Sequence, residues 1–269
     1  MATIRDVARR AGVAPITASR VLNNSGYFSQ EIKARVEAAA AELHYVPNLL
    51  ARSLRSHRTQ TLALVLSDVT NPFWTTVARG VEDAASRAGF TVFLCNSDES
   101  EHKQAEYLAV LLRKRVDGIL LVPARSTAEP VRAIQKQGIQ VVVVDRRVPG
   151  VQVDIVRSSS HESAHLLMRH LLELGHRRIA ILSGPADVST AHERVEGARQ
   201  ALRDFGLDEE LVTIFHQAYT VEGGYEMAQR ALAQQPRPSA LFAANNFIAI
   251  GALRAQRTGG RMAQAPAAA

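Results

Sequence analysis

Apolar residues in the first 46 positions recur three and four apart, whereas from residue 61 onward they gather into short unbroken runs. The first pattern is helical, because 3.6 residues per turn bring such positions onto one face. In TIRDVARRAGV, Ile4, Val7, Ala8 and Ala11 share a face and Gly12 supplies a stop. Thr3, with Asp6 three residues on, has the spacing of a capping box. A turn leads to a second helix from Pro15, since proline at the first helical position gives up no N–H that would have found a partner. The third, SQEIKARVEAAAAELHY, opens on Ser29 as N-cap and aligns Ile32, Val36, Ala39, Ala40 and Leu43. Helix, glycine turn and helix in this order predict a helix-turn-helix, whose second helix enters the DNA major groove.

Pro47 breaks the pattern, and NLLARSLRSHRTQ is too short and too basic to form a core alone; it reads as a linker that becomes helical on contact. The later apolar runs are LALVL, FTVFLC, GILLV, QVVVV, RIAILSG, LVTIF and ALFAA. Helical stretches separate them, several ending at a glycine (Gly89, Gly138, Gly175, Gly206). Such alternation predicts right-handed βαβ units and parallel sheet covered on both faces. Ligands of these sheets bind beyond the carboxyl ends of the strands. The site is therefore expected on SDVTNPFW, NSDES, VPARS, VDRRV, SGPADVSTAHER and AANNF.

Charge sharpens the division. The formal net charge of +6 is concentrated in residues 1–58, which hold nine Lys/Arg against four Asp/Glu. A basic head on a near-neutral body is the electrostatic footprint of a nucleic-acid-binding module. No run of eighteen apolar residues exists and MATIRDVARRAG lacks a signal peptide's apolar block, so a cytoplasmic location without membrane association is expected. The one cysteine, Cys95, falls in a strand-like run and reads as a buried core residue.

Several stretches resemble one family: TIRDVARRAGVAPITASRVLN, AAAAELHYVPNLLARSLRS, NPFW, RVDGILLV, LLELGHRRIAILSGP, ERVEGARQAL and FAANNFIAIGAL. They are similar, in order and over nearly the whole chain, to the LacI/GalR family of bacterial repressors. The resemblance implies a small all-α helix-turn-helix headpiece (1–46) and a hinge helix or linker (47–58) that folds on operator DNA. It further implies an α/β core (59–257) of two doubly wound parallel-sheet lobes like periplasmic binding proteins, roughly 59–155 and 156–257, followed by an irregular tail (258–269). The core is expected to form a homodimer and to bind a small effector, a sugar or purine, between its lobes. Double-stranded operator DNA is the expected partner; no cofactor and no metal are expected.

Carried over residue by residue, the resemblance makes Pro15 and Ile16 variable base readers and Arg20 a contact to a base edge. Arginine reads guanine bidentately, whereas Ile16 is restricted to apolar contact, as with a thymine methyl. Thr17, Ser19 and Asn23 match phosphate-holding positions, as do Thr3 and Ser29. Ala14 stands where the family usually has a capping Ser or Thr. Leu54 matches the leucine wedged into the minor groove, accompanied by Ala51 and Arg52. At the cleft, Phe73 and Trp74 offer aromatic faces or lid packing, Arg194 grips effector oxygens, Tyr219 stacks on the ligand and Asn245 is a polar contact. Asp145 is assigned to ordering the hinge between lobes.

The chain departs from the family pattern in three places. Ser158-Ser159 replaces Asp-Asn, Asn246 replaces Asp, and after GALRA the pattern gives way to QRTGGRMAQAPAAA. The last departure predicts a truncated or frame-shifted C-terminal part with effector response lost or altered. HESAH at 161–165 spells the zinc-protease pattern H-E-x-x-H, but without a third ligand it reads as solvated histidines at a helix start. With no nucleophile elbow and no phosphate loop, no enzyme is expected. The leading expectation is an effector-responsive repressor. The alternatives are a degenerate repressor that binds DNA weakly without sensing, and a solute-binding sensor with an incidental head.

Overall fold

A computed structural model describes residues 2–46 and 58–263, with the backbone alone beyond Arg257. The chain divides into two compact units, with the boundary between Thr59 and Gln60.

The first unit is three helices, α1 (Ile4–Ala11), α2 (Pro15–Leu22) and α3 (Gln30–Glu42). The capping box closes at α1: Thr3 Oγ accepts the Asp6 N–H, and the Asp6 carboxylate accepts the Thr3 N–H at 3.0 Å. Gly12 ends α1 with φ +65°, a conformation glycine adopts without penalty. The last carbonyls of α1 are taken up by Arg35 of α3, which donates to Ala11 O from Nε (3.1 Å) and to Gly12 O from Nη2 (3.2 Å). α2 begins at Ala14 with no side-chain cap and relies on Pro15 at its first position. Val7, Ala8, Ala11, Ala18, Val21, Val36, Ala39 and Ala40 form the core, closed by half-buried Phe28, Ile32 and Tyr45. Small residues predominate because short helices crossing at close range leave little volume between them.

The second unit holds two all-parallel sheets. The first contains β1 (Thr61–Leu66), β2 (Thr91–Asn96), β3 (Gly118–Leu121), β4 (Gln140–Val144) and β5 (Asp154–Val156), in the order β2-β1-β3-β4-β5. The second contains β6 (Ile179–Ser183), β7 (Val212–His216) and β8 (Ala240–Ala243), in the order β7-β6-β8. Connecting helices are α4 (Pro72–Arg87), α5 (Glu101–Lys114), α6 (Glu129–Lys136), α7 (Ser160–Glu173), α8 (Ser189–Asp204), α9 (Val221–Leu232) and α10 (Asn246–Ala263). Central strands covered on both faces read as continuous apolar runs, and β6 is buried at every position. One core fills the first sheet's α5–α6 side (Leu108, Ile119, Leu121, Ile134) and two sandwich the second (Met168, Ile181, Leu202; Leu182, Met227, Ile248).

Two features differ from the sequence expectation. β5 is an exposed three-residue edge strand, too short to register as an apolar run. The tail expected to be irregular from 258 is helical through Ala263. Extending an existing helix adds one hydrogen bond per residue fixed, and two glycines cost only about 1 kcal/mol each against that gain. Residues 264–269 lie outside the described chain.

Candidate functional site

Strand order reverses at β1 in the first sheet and at β6 in the second, and such switch points open crevices at the carboxyl ends of the strands. A cavity of about 360 Å³ lies where the two crevices face each other. The first sheet contributes Asp68, Asn71, Phe73 and Trp74 after β1, Glu99 after β2, Asp145 and Arg146 after β4, and Ser158 after β5. The second contributes Thr190 and Arg194 after β6, Tyr219 after β7, and Ala244, Asn245 and Asn246 after β8. The five residues read from sequence as effector contacts (Phe73, Trp74, Arg194, Tyr219, Asn245) thus share one wall system.

Their surroundings differ. Asn71 caps α4 by accepting the Phe73 N–H (3.0 Å), which turns Phe73 outward, 50% exposed, while Trp74 is 6% exposed and packs on Leu64, Leu66 and Val122. The rings meet edge to face at 4.8 Å, so Trp74 is chiefly core and Phe73 is the free aromatic face. Tyr219 lies so close over Gly184 that a Cβ there would fall 2.1 Å from its ring. Its hydroxyl leans on the Thr190 side chain without a well-formed hydrogen bond, and burial pushes its pKa up. Asn245 caps α10 by accepting the Ile248 N–H at 2.8 Å.

Sequence reasoning missed Glu99 and Arg146 and assigned Asp145 elsewhere. Asp145 N–H bonds Val156 O, which ties β4 to β5, but its side chain lines the cavity. Burial pushes its carboxyl above the usual range, against the pull of Arg194 and Arg146. Arg146 is 2% exposed and pairs with Glu99 at 2.6 Å. The strand-end runs NSDES and VDRRV contained them, but neither residue was singled out within its run.

Polar groups bridge the two sheets' loops around the cavity. Asn71 and Asn246 exchange amide hydrogen bonds (3.2 and 2.9 Å), Arg125 meets Asp187 at 2.9 Å, and Ser126 Oγ accepts the Ser189 N–H at 2.9 Å. Glu193 of α8 is gripped by Arg147 and Arg157, each at 2.9 Å. Away from the cavity, His165 is paired with Asp204 (2.7 Å), and the described residues hold no cluster of His, Cys, Asp or Glu able to bind a metal. No helix among them is long and apolar enough to cross a membrane.

In the helical unit, Ala18 and Val21 turn α2 inward while Pro15, Ile16 (60% exposed) and Arg20 face outward. Thr17 and Ser19 are half-buried beside them, and Asn23 caps the end of α2 with Nδ2 donating to Ser19 O at 2.7 Å. Ser29 Oγ accepts the Ile32 N–H, which leaves its own O–H available. Thr3 gives both its N–H and its O–H to Asp6. Ala51, Arg52 and Leu54 lie outside the described residues.

A helix-turn-helix with an outward recognition helix, in one chain with a two-sheet α/β unit that encloses a polar cavity, defines a class: a DNA-binding regulator with its own small-molecule receptor. Residues 3–48 match the bacterial regulatory proteins of the lacI family, and residues 59–268 match the periplasmic binding proteins and sugar binding domain of LacI family. The chain belongs to the LacI family and is a DNA-binding transcriptional regulator. It is 36% identical over 263 residues to the ribose operon repressor of Escherichia coli strain K12, covering 95% of this chain and 78% of that protein. It is 32% identical to the HTH-type transcriptional repressor PurR of Haemophilus influenzae strain PittEE, covering 95% and 76%. The lac repressor dimer bound to operator and the anti-inducer ONPF superposes with a TM-score of 0.82 at 25% identity, covering 96% and 78%.

Proposed function

We propose that this chain is a cytoplasmic repressor that binds a palindromic operator as a homodimer and senses a neutral sugar in the cleft, without catalysing a reaction. The observation behind this reading is the cleft itself, where an exposed aromatic face (Phe73) stands beside amides, guanidiniums and carboxylates supplied by both sheets. Sugars present an apolar ring face and a rim of hydroxyls, and both find counterparts there. Asp68, Glu99 and Asp145 outnumber Arg146 and Arg194, which favours hydroxyl donors over phosphates. Related proteins named for a ribose operon and for purine regulation support a small effector and make a purine the second candidate.

On DNA, Arg20 and Ile16 read base edges from the exposed face of α2, with Pro15 at its tip. Thr17, Ser19, Asn23 and Ser29 hold phosphates, Thr3 joins them only by releasing Asp6, and Ala51, Arg52 and Leu54 enter the minor groove. Selection from a random DNA pool by the full chain, at fixed near-physiological salt, tests this. Enrichment of a palindrome with two half-sites about a kinkable step is expected. A single half-site would contradict the dimer, and no enrichment would contradict sequence-specific binding by this chain.

A further inference from the structure

The core as a whole is close to neutral, but its charge is unevenly spread. In each βαβ unit of the first sheet the helix runs back to where the next strand begins, so helix C-termini and strand N-termini share one end. Arg87, Lys114 and Lys136 close α4, α5 and α6, each four residues before the next strand (at Thr91, Gly118 and Gln140), and Arg113 stands beside Lys114. All four are exposed, and among the described residues none of them is in an ion pair. The acids on the loops of this end are Asp117 and Asp154, and Asp117 accepts the Gln60 N–H at 3.0 Å. Because α4 packs on one face of the sheet (Val77, Val81) and α5 and α6 on the other (Leu108, Ile134), the cations stand on both faces.

Helix dipoles alone do not account for this surplus. A last-turn cation suits any helix C-terminus, yet in the second sheet the corresponding cations are engaged. Arg203 of α8 is paired with Glu209, and Arg230 of α9 lies 5.1 Å from the centroid of the Phe215 ring. Unpaired like charges gathered at one end repel each other and draw anions. The connectivity of the chain names the anion. β1 begins at this same end, between β2 and β3, so the helical DNA-binding unit is tethered there through residues 47–58. That linker spans at most about 40 Å fully extended, which keeps a duplex held by the helical unit in the neighbourhood of the cations.

We propose that the amino end of the first sheet is a second DNA-contacting surface, on which Arg87, Lys114 and Lys136 meet backbone phosphates of the duplex that α2 reads. Such contacts add affinity and orientation and carry no sequence information. The proposal rests on the DNA reading of the helical unit and is independent of the effector. It is tested by fluorescence anisotropy over a range of KCl concentrations, with a duplex carrying the selected site and one of scrambled sequence. The proteins are the full chain as wild type, Lys114→Gln/Lys136→Gln, and the charge-matched control Arg169→Gln/Arg237→Gln, which neutralises two exposed cations beside the second sheet. Each cation that faces a phosphate contributes about 0.9 to the slope of log K against log salt. Lys114→Gln/Lys136→Gln is therefore expected to lower that slope by about one to two and to bind both duplexes about tenfold more weakly, with an unchanged ratio between them. The control is expected to keep the wild-type slope. Should the double variant lose its fold by circular dichroism, Arg87→Gln, on the other face, is expected to lower the slope by about one. A slope unchanged in the folded variants, or lowered equally by the control, would overturn the proposal and leave the DNA reading standing. A changed ratio between the duplexes would also overturn it, since phosphate contacts do not discriminate sequence. Binding of neither duplex by wild type would overturn both.

Discussion

Arg20 and Ile16 stand one turn apart on the outward side of α2, whereas Ala18 and Val21, two and five residues beyond Ile16, hold that helix to its neighbours. The exposed face proposed to read bases and the face that packs are therefore separable on this helix. Arg20→Ala is expected to leave the fold intact and to lower discrimination at one operator position by about 1–3 kcal/mol, measured against single-base variants of a selected site. Equal weakening on every sequence would make Arg20 a phosphate contact. In the cleft, the raised pKa of Asp145 means that the folded state disfavours its charged form. The contribution is thus unfavourable at neutral pH and shrinks as pH falls through the raised value. Asp145→Asn is expected to raise the thermal midpoint of the ligand-free protein and to weaken effector binding; a lowered midpoint would mean that the arginines outweigh burial. Phe73, Arg194 and Asn245 fall in strand-end loops, which converge in a parallel sheet, but it was the family resemblance that singled them out, together with Tyr219, and all four line the cavity. Glu99 and Arg146 were not legible, since neither positive φ nor a pair separated by 47 residues leaves a periodic trace.

Among the elements, α1 shows how completely a short helix can be closed. Its first turn is capped by Thr3 and Asp6 as the T-x-x-D spacing predicts, but its last carbonyls depend on Arg35, 24 residues away from Ala11. Arg35→Ala is expected to raise hydrogen-exchange rates through α1 and the turn at Gly12, at a cost of about 1 kcal/mol; unchanged protection would assign the helix end to Gly12 alone. The Thr3 hydrogen bonds hold the Asp6 carboxyl below its ordinary range, and the Arg10 hydrogen bond does so for Glu42. These depressed values favour the folded headpiece above the ordinary carboxylate range, and the contribution is lost as pH falls through them; because both groups are exposed, acidification is expected to lower the headpiece's thermal midpoint only modestly. In the core, Glu193 joins the second sheet's α8 to Arg147 and Arg157 of the first sheet's loops. Glu193→Ala is expected to favour an open cleft, seen as a larger radius of gyration by small-angle scattering without ligand. An unchanged radius would assign closure to the Asn71–Asn246 exchange and the Arg125–Asp187 pair. Strand and helix identities were visible as apolar runs and periodicity. β5 escaped because three exposed residues form an edge, and the last turns of α10 because QRTGGRMAQAPAAA departs from the family pattern and has a low-complexity texture.

At the scale of the whole molecule, nearly all of the net positive charge belongs to the first 58 residues, and the polar cavity belongs to the second unit. On the proposed reading, electrostatic attraction draws the head to DNA at any sequence, α2 selects the site, and the cleft reports on a small molecule. Regulation requires that the two binding events share free energy, and that coupling is reciprocal. The central claim is tested most directly by fluorescence anisotropy of a selected operator duplex titrated with the full chain at fixed salt, with and without the sugar that binds best. The account predicts that the sugar shifts the operator Kd by about fivefold or more in either direction, the range of typical coupling energies, and that the operator shifts the sugar Kd by the same factor. An operator Kd unmoved by saturating concentrations of that sugar, of ribose 5-phosphate and of hypoxanthine would contradict it.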